Sequence, residues 1–349
     1  MTPLKIAIAG YGAIGKHHAA FILADKDCEL VGIGAKTTRA KDIVENQNIR
    51  FFTDIGKMLD ETRPDGLIDA TPTPDHLKVG IECAKRGVHL LVEKPITQTI
   101  DEGKRLIEVT QRAGIKLLVG QYRRHSPYYR KARALITEGA LGEVRVVASQ
   151  WTVQKPDSYY DEPWRAGPGQ GPLTTNLVHD LDALRFLCGD IESVYAFVSS
   201  AARHLPFVDT LAAAVKFKSG TFATVAMSDS VAAPWAYEIT SGEDPGFPHN
   251  DENFLRIMGS KGTLSIPRMD FWSHPEGRRL GWRGKIDHKR IEIEHGHPLA
   301  RQIVHFCRVM RGQETPLTDG EDGLRSLAAV LALEVSAQRN EPVAPDSLV

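Results

Sequence analysis

Cysteine is scarce. Four thiols stand in 349 residues, at Cys28, Cys83, Cys188 and Cys307, with no CxxC pair among them. That spacing excludes a disulfide framework and a zinc ribbon, and it fits reduced thiols in a cytoplasmic protein. Long hydrophobic runs are missing too. No stretch reaches the ~18 apolar residues of a spanning helix, so no membrane partner is expected. Neither charge sign prevails: Lys and Arg number 43 against 44 Asp and Glu, for a formal charge of −1. Nothing here advertises a phosphate backbone, and no nucleic-acid partner is expected. Repeats and low-complexity tracts are lacking, and a chain 42% hydrophobic and 25% charged is not a disordered one. The opening segment Met1–Gly10 does not read as a secretory signal, because its short apolar part runs straight into a glycine turn.

The length suits two domains or one large α/β unit. Up to about residue 120, short β-rich runs alternate with helical ones. Strands are predicted over Leu4–Ala9, Glu29–Ile33, Leu67–Asp69, His89–Val92 and Lys116–Val119. Helices are predicted over Ile14–Ile22, Ala40–Glu45, Asp75–Arg86 and Ile100–Ala113. This rhythm implies βαβ units and a parallel sheet. Beyond it the pattern changes. A helix over Tyr128–Glu138 and a strand over Glu143–Trp151 lead into a loop, Lys155–Pro172, rich in Pro, Gly and Asp. A helix over Thr175–Leu187 precedes the strands Ile191–Val198, Thr210–Phe217, Thr221–Ser228, Phe254–Met258 and Gly262–Ile266. Strands joined by short turns read as an antiparallel sheet. Ser241–Glu252 and Ser273–Arg290 read as loops or sheet edges, and helices near Pro298–Arg311 and Glu321–Arg339 close the chain. The expected class is α/β, with a dinucleotide-binding domain over 1–121 and a substrate and oligomerisation domain over 122–349 whose last helices pack back on the first.

Gly10-Tyr11-Gly12-Ala13-Ile14-Gly15 is a G-x-G-x-x-G run placed directly between a predicted strand and a predicted helix. The first glycine permits a tight turn, the second admits a pyrophosphate and the third lets helix and strand pack closely. The N–H groups opening the helix, Ala13 and Ile14 among them, then face an anion. An acidic residue about 20 positions on would hold a ribose 2′-hydroxyl. Ala35 stands there instead, followed by Lys36, Thr37, Thr38 and Arg39. Two cations and two hydroxyls suit a 2′-phosphate, so NADP is favoured, with NAD as the alternative.

Two groups carry candidate chemistry. Val92-Glu93-Lys94-Pro95 ends a predicted buried strand, at the sheet edge where α/β folds bind ligands. Partial desolvation there favours a neutral amine able to exchange a proton. In Thr174-Thr175-Asn176-Leu177-Val178-His179-Asp180-Leu181-Asp182, helical spacing puts Thr175, Asn176 and His179 on one face. His179 can then donate to a substrate oxygen or move a proton. Of the remaining candidates, His17-His18 are read as surface or phosphate-side positions. His295, His297 and His305 lack metal-ligand spacing, and no metal is expected.

In this order, G-x-G-x-x-G, Ala70-Thr71-Pro72-Thr73-Pro74-Asp75-His76, Glu93-Lys94-Pro95 and Gly171 to His179-Asp180-Leu181-Asp182, the chain resembles the glucose-fructose oxidoreductase / inositol dehydrogenase / rhizopine catabolism family, Gfo/Idh/MocA. The resemblance covers nearly the whole chain. It implies an N-terminal Rossmann domain, a C-terminal α+β domain with a large, mostly antiparallel open sheet, and a homodimer or homotetramer. It implies oxidation or reduction of a hydroxyl-bearing carbon on a sugar, inositol or related ring, with Lys94 as the acid–base residue and His179 as its partner. It places Thr71, Pro72, His76 and Glu93 toward the cofactor. Trp164, Arg165, Tyr122 and Arg123 lie toward the substrate, with Asn176 and Thr175 holding its hydroxyls. One departure stands out: the family's usual Asp four residues before the histidine is Thr175 here. It keeps in view a dinucleotide-binding sensor without turnover, and the resemblance leaves a further alternative, a hydrolase or lyase that recycles bound NAD.

Overall fold

The structure is a computed structural model and describes residues 2–162, 165–167, 169–275 and 281–349. The chain divides into two compact units: residues up to His125 with Pro298–Leu327, and Ser126–His297 with Ala328–Val349.

The first unit is built on β1 (Leu4–Ala9), α1 (Ala13–Ala24), β2 (Cys28–Gly34), α2 (Lys41–Glu45), β3 (Phe51–Phe52), α3 (Ile55–Thr62), β4 (Gly66–Asp69), α4 (His76–Arg86), β5 (His89–Val92), α5 (Ile100–Arg112) and β6 (Leu117–Val119). Its six strands are all parallel, in the order β3-β2-β1-β4-β5-β6. All four residues of β4 are buried, as a strand covered on both faces requires. The order reverses between β1 and β4, so the loops leaving these strands meet at one edge, the switch point where such sheets bind ligands. Local chemistry sets the helix starts. Asp54 caps α3 through the Lys57 N–H, and Thr99 and Glu102 form a reciprocal capping box on α5. The late helix Pro298–Met310 joins this core, where Ile303 and Phe306 pack with Ile6, Ile22 and Leu30. The two-residue β3 carries no periodicity by which a sequence could announce it, whereas α3 follows directly from the Asp54 cap.

The second unit contains α6 (Pro127–Thr137), β7 (Val144–Gln154), α7 (Val178–Cys188), β8 (Ile191–Ser199), β9 (Thr210–Phe217), β10 (Phe222–Ser228), β11 (Ser230–Trp235), α8 (Tyr237–Thr240), β12 (Leu255–Gly259), β13 (Gly262–Ile266), β14 (Asp270–Ser273) and β15 (Asp287–Arg290). Its nine-stranded sheet runs β15-β14-β13-β12-β7-β10-β9-β8, with β11 added on β7. All pairings are antiparallel except β7 with β10. The polar segment Ser273–Arg290 does supply an edge, because β15 pairs with β14 although all its residues are exposed. The helix expected over Thr175–Leu187 begins with a π-turn at Leu173–Leu177 before α7 proper. Such insertions in a helix often mark functional sites.

Candidate active site

The glycine loop divides its three positions by sterics. Gly10 has φ +88°, and a Cβ on it would fall 2.3 Å from the Ala70 carbonyl oxygen. A Cβ on Gly15 would fall 2.2 Å from the Gly10 oxygen. Both are fixed by the protein's own backbone. Gly12 differs: a Cβ there meets nothing within 4 Å. It caps α1, whose first turn carries no acidic residue. Gly12 therefore keeps a space open in front of exposed helix N–H groups, Ala13 and Ile14 beside it, and a pyrophosphate fits that space.

Beyond β4, the Thr71–His76 loop is held from below. Asp69 Oδ1 accepts from the Thr71 N–H at 3.0 Å and the Thr71 hydroxyl at 2.6 Å. Burial pushes the Asp69 carboxyl up from its ordinary range. His76 is 1% exposed, and its ring nitrogens face carbonyls: Nδ1 lies 3.1 Å from Pro95 and 3.2 Å from Ile96, Nε2 3.0 Å from Thr71. This histidine ties the β4 loop to the β5 loop. Its ring is occupied by backbone, which holds the Thr71 end of one loop against the Pro95–Ile96 end of the other.

At the end of β5, Lys94 is half-buried and Glu93 is 6% exposed. The Glu93 carboxylate meets His18 Nε2 at 2.8 Å. His18 is fully buried, which corrects its reading as a surface or phosphate-side residue. At the end of β2, Thr37, Thr38 and Arg39 are exposed, and Lys36 donates to both Asp75 oxygens at 2.7 Å. After β6, Tyr122 is half-buried and Arg123 is 1% exposed.

The second unit assembles its own cluster around the π-turn. His179 is 4% exposed. Asn176 Oδ1 accepts from Lys155 Nζ at 2.8 Å and lies 2.9 Å from the Thr175 hydroxyl, which is also 3.0 Å from the Gly171 carbonyl. The Asn176 amide N–H groups have no partner among the described residues. Lys155, unremarked in the sequence, sits over Trp151 at 5.3 Å and Tyr159 at 4.5 Å. Arg165 covers the same Tyr159 ring at 4.3 Å and donates to the Tyr159 carbonyl at 3.2 Å. Arg203 secures this loop, donating to Asp157 at 2.6 Å, the Lys155 carbonyl at 2.7 Å and Asp229 at 3.2 Å. Trp164 lies outside the described residues. Among the described residues no group of three or more His, Cys, Asp or Glu is placed to hold a metal ion, and no helix is long and apolar enough to cross a membrane.

Comparison with known proteins covers both units. Residues 4–121 match the oxidoreductase family with an NAD-binding Rossmann fold, and residues 129–265 match the GFO/IDH/MocA C-terminal domain. Myo-inositol 2-dehydrogenase of Thermotoga maritima is 22% identical over 355 residues, 99% of this chain and 100% of that protein. The rhizopine catabolism protein MocA of Rhizobium meliloti is 25% identical over 287 residues, 80% of this chain and 82% of that one. The solved WlbA dehydrogenase of Bordetella pertussis, in complex with NADH and UDP-GlcNAcA, superposes with a TM-score of 0.78 at 27% identity over 98% of both chains.

Proposed function

Because the chain belongs to the Gfo/Idh/MocA oxidoreductase family, we propose that it is an NADP-preferring dehydrogenase acting on a CH–OH carbon of a sugar, inositol or related cyclic polyol. The observation that carries this reading is the pairing, within one unit, of a glycine loop open only at Gly12 with Lys94 at the end of β5.

Gly10, Gly12 and Gly15 shape the pyrophosphate seat, and the first N–H groups of α1 bind its charge. Thr37, Thr38 and Arg39 would favour a ribose 2′-phosphate, while Lys36, the other cation of that turn, pairs with Asp75. A nicotinamide cofactor held there would supply the hydride chemistry. Lys94 takes the hydroxyl proton during oxidation and returns it during reduction. His179 serves to orient a substrate oxygen or to share its proton. Asn176 turns its amide toward a neighbouring hydroxyl, a role open to it because Lys155 and Thr175 occupy its carbonyl. Arg165, with Trp164, Tyr122 and Arg123, belongs to the substrate side. The enzyme works in a reducing cytoplasm, in keeping with four free thiols, as a homodimer or homotetramer.

Nicotinamide absorbance with NADP⁺ or NAD⁺ against a panel of polyols and sugars tests the reading. Lys94→Met is expected to lose at least ~10²-fold in kcat while cofactor affinity stays within about twofold. Wild-type kcat in that variant removes Lys94 from the mechanism. A lower KM for NAD⁺ than for NADP⁺ removes the NADP preference.

A further inference from the structure

Buried against the glycine-loop helix is a carboxylate that the proposed reaction does not use. Glu93 is 6% exposed and its neighbour His18 is wholly buried. The Glu93 Oε1 meets His18 Nε2 at 2.8 Å, and Oε2 accepts the backbone N–H of Lys94 at 3.3 Å. The carboxylate lies on the bare Cα of Gly120: a Cβ there would stand 2.9 Å from Cδ and Oε2 and 3.0 Å from Oε1. The backbone on either side is also fixed. Glu93 N–H donates to Asp69 at 2.9 Å, and Gly120 N–H to Val92 at 2.7 Å. His18 Nδ1 has no partner among the described residues, so the ring's engaged N–H is the one on Nε2. A buried carboxylate left without a donor is costly, and an imidazole N–H supplies a charge-assisted hydrogen bond.

We propose that His18 is a positioning residue for Lys94: through the Glu93 carboxylate it fixes the Lys94 backbone, and so ties the placement of the reacting amine to the helix that opens at the pyrophosphate seat. The idea rests on Lys94 being the acid–base residue proposed above. It explains why the carboxylate is boxed rather than solvated. Of its two oxygens, one is held by α1 and the other holds Lys94. A shift of about 1 Å in a reacting group is enough to cost a large part of a rate, so a clamp of this kind acts on kcat and leaves cofactor affinity alone.

The test is trace acetylation of the purified chain with acetic anhydride across the pH range, with Lys94 and the exposed reference Lys26 quantified by peptide mass spectrometry. His18→Leu removes the donor; His18→Gln restores an N–H. In His18→Leu the Lys94 reactivity, normalised to that of Lys26, is expected to change by about threefold or more. His18→Gln is expected to return toward wild type, and NADPH affinity, read by fluorescence, to stay within about twofold. If His18→Leu does not fold, Glu93→Gln reads the same quantity with the shape of the side chain kept. A Lys94 profile unchanged in a folded His18→Leu or Glu93→Gln overturns the proposal. The labelling needs no substrate, so it is decided separately from the function: a wild-type chain inert toward every polyol and sugar overturns the dehydrogenase reading, not the clamp.

Discussion

Single atoms separate the roles of three glycines that look alike in the sequence. At Gly10 an alanine meets two obstacles, a left-handed φ of +88° and the Ala70 carbonyl 2.3 Å from the new methyl. At Gly12 the same methyl meets no protein atom within 4 Å. Gly10→Ala is therefore expected to lower stability by about 2 kcal/mol or more, from strain and overlap together. Gly12→Ala is expected to cost about 1 kcal/mol or less, the difference between the two residues as helix caps. Cofactor binding should reverse the order of interest: Gly12→Ala weakens NADPH by about tenfold or more while still folded, because its methyl projects into the pyrophosphate space. Thermal melts and fluorescence titration of both variants check this. Equal affinity in Gly12→Ala and wild type moves the pyrophosphate away from this loop.

Between elements, the junction of β5 and β6 is sensitive to acid. His89 Nδ1 accepts the Lys116 N–H at 3.0 Å, a bond that requires the neutral ring. Burial, and then the charge of Lys116, holds His89 below its ordinary value. The folded pKa lies under the unfolded one, so the unfolded chain takes up the proton first. Stability supplied by this ring is thus present above the ordinary histidine range and is lost as pH falls through it. His89→Asn keeps an acceptor at every pH. On going from neutral to about pH 5 the wild type is expected to lose about 1 kcal/mol that the variant keeps, measured by denaturant melts at both pH values. A parallel loss in both puts the acid sensitivity elsewhere. The elements themselves differed in how far the sequence disclosed them. Apart from β3, the parallel strands were readable because burial on both faces writes a near-continuous apolar run, as in Leu90–Val92 of β5. β15, Asp287–Arg290, has no apolar residue and exists because β14 offers it a partner. The Glu-Lys-Pro lysine and the glycine loop were legible as local strings. His18 was not, since it meets Glu93 75 positions away. Lys155 was hidden in the same manner, at the end of a strand, with Asn176 21 residues further on.

At the scale of the molecule, the β8, β9 and β10 strands of the nine-stranded sheet carry a row of exposed positions on one face among the described residues. Cross-strand register lines up its centre: Ala212 lies opposite Phe197 and Ala226, and Thr224 opposite Ala148 and Ala214. The same residues, with Gln150 and Tyr195, line a shallow depression. Small side chains fill the middle, and larger ones stand out around them: Phe197 is 65% exposed, Phe222 54% and Val146 41%. Exposed apolar side chains gathered in this way would suit association. Arg256 and Lys216 stand at the margins of this face, and the apolar centre between them suits a second sheet lying at the usual ~10 Å spacing, that of another copy. A two-fold arrangement would bring each Phe197 and Phe222 against the partner's alanine floor. Phe197→Asp puts a charge where such a contact must exclude water, while its side chain in the lone chain is mostly solvated, so folding is expected to survive with little change in melting temperature. The measurement is light scattering coupled to gel filtration. Wild type is expected at a multiple of the 38.5 kDa chain mass and Phe197→Asp at a lower multiple. A wild-type chain that elutes at its own mass leaves the face without this partner, and a Phe197→Asp variant that assembles like wild type places the interface on another surface.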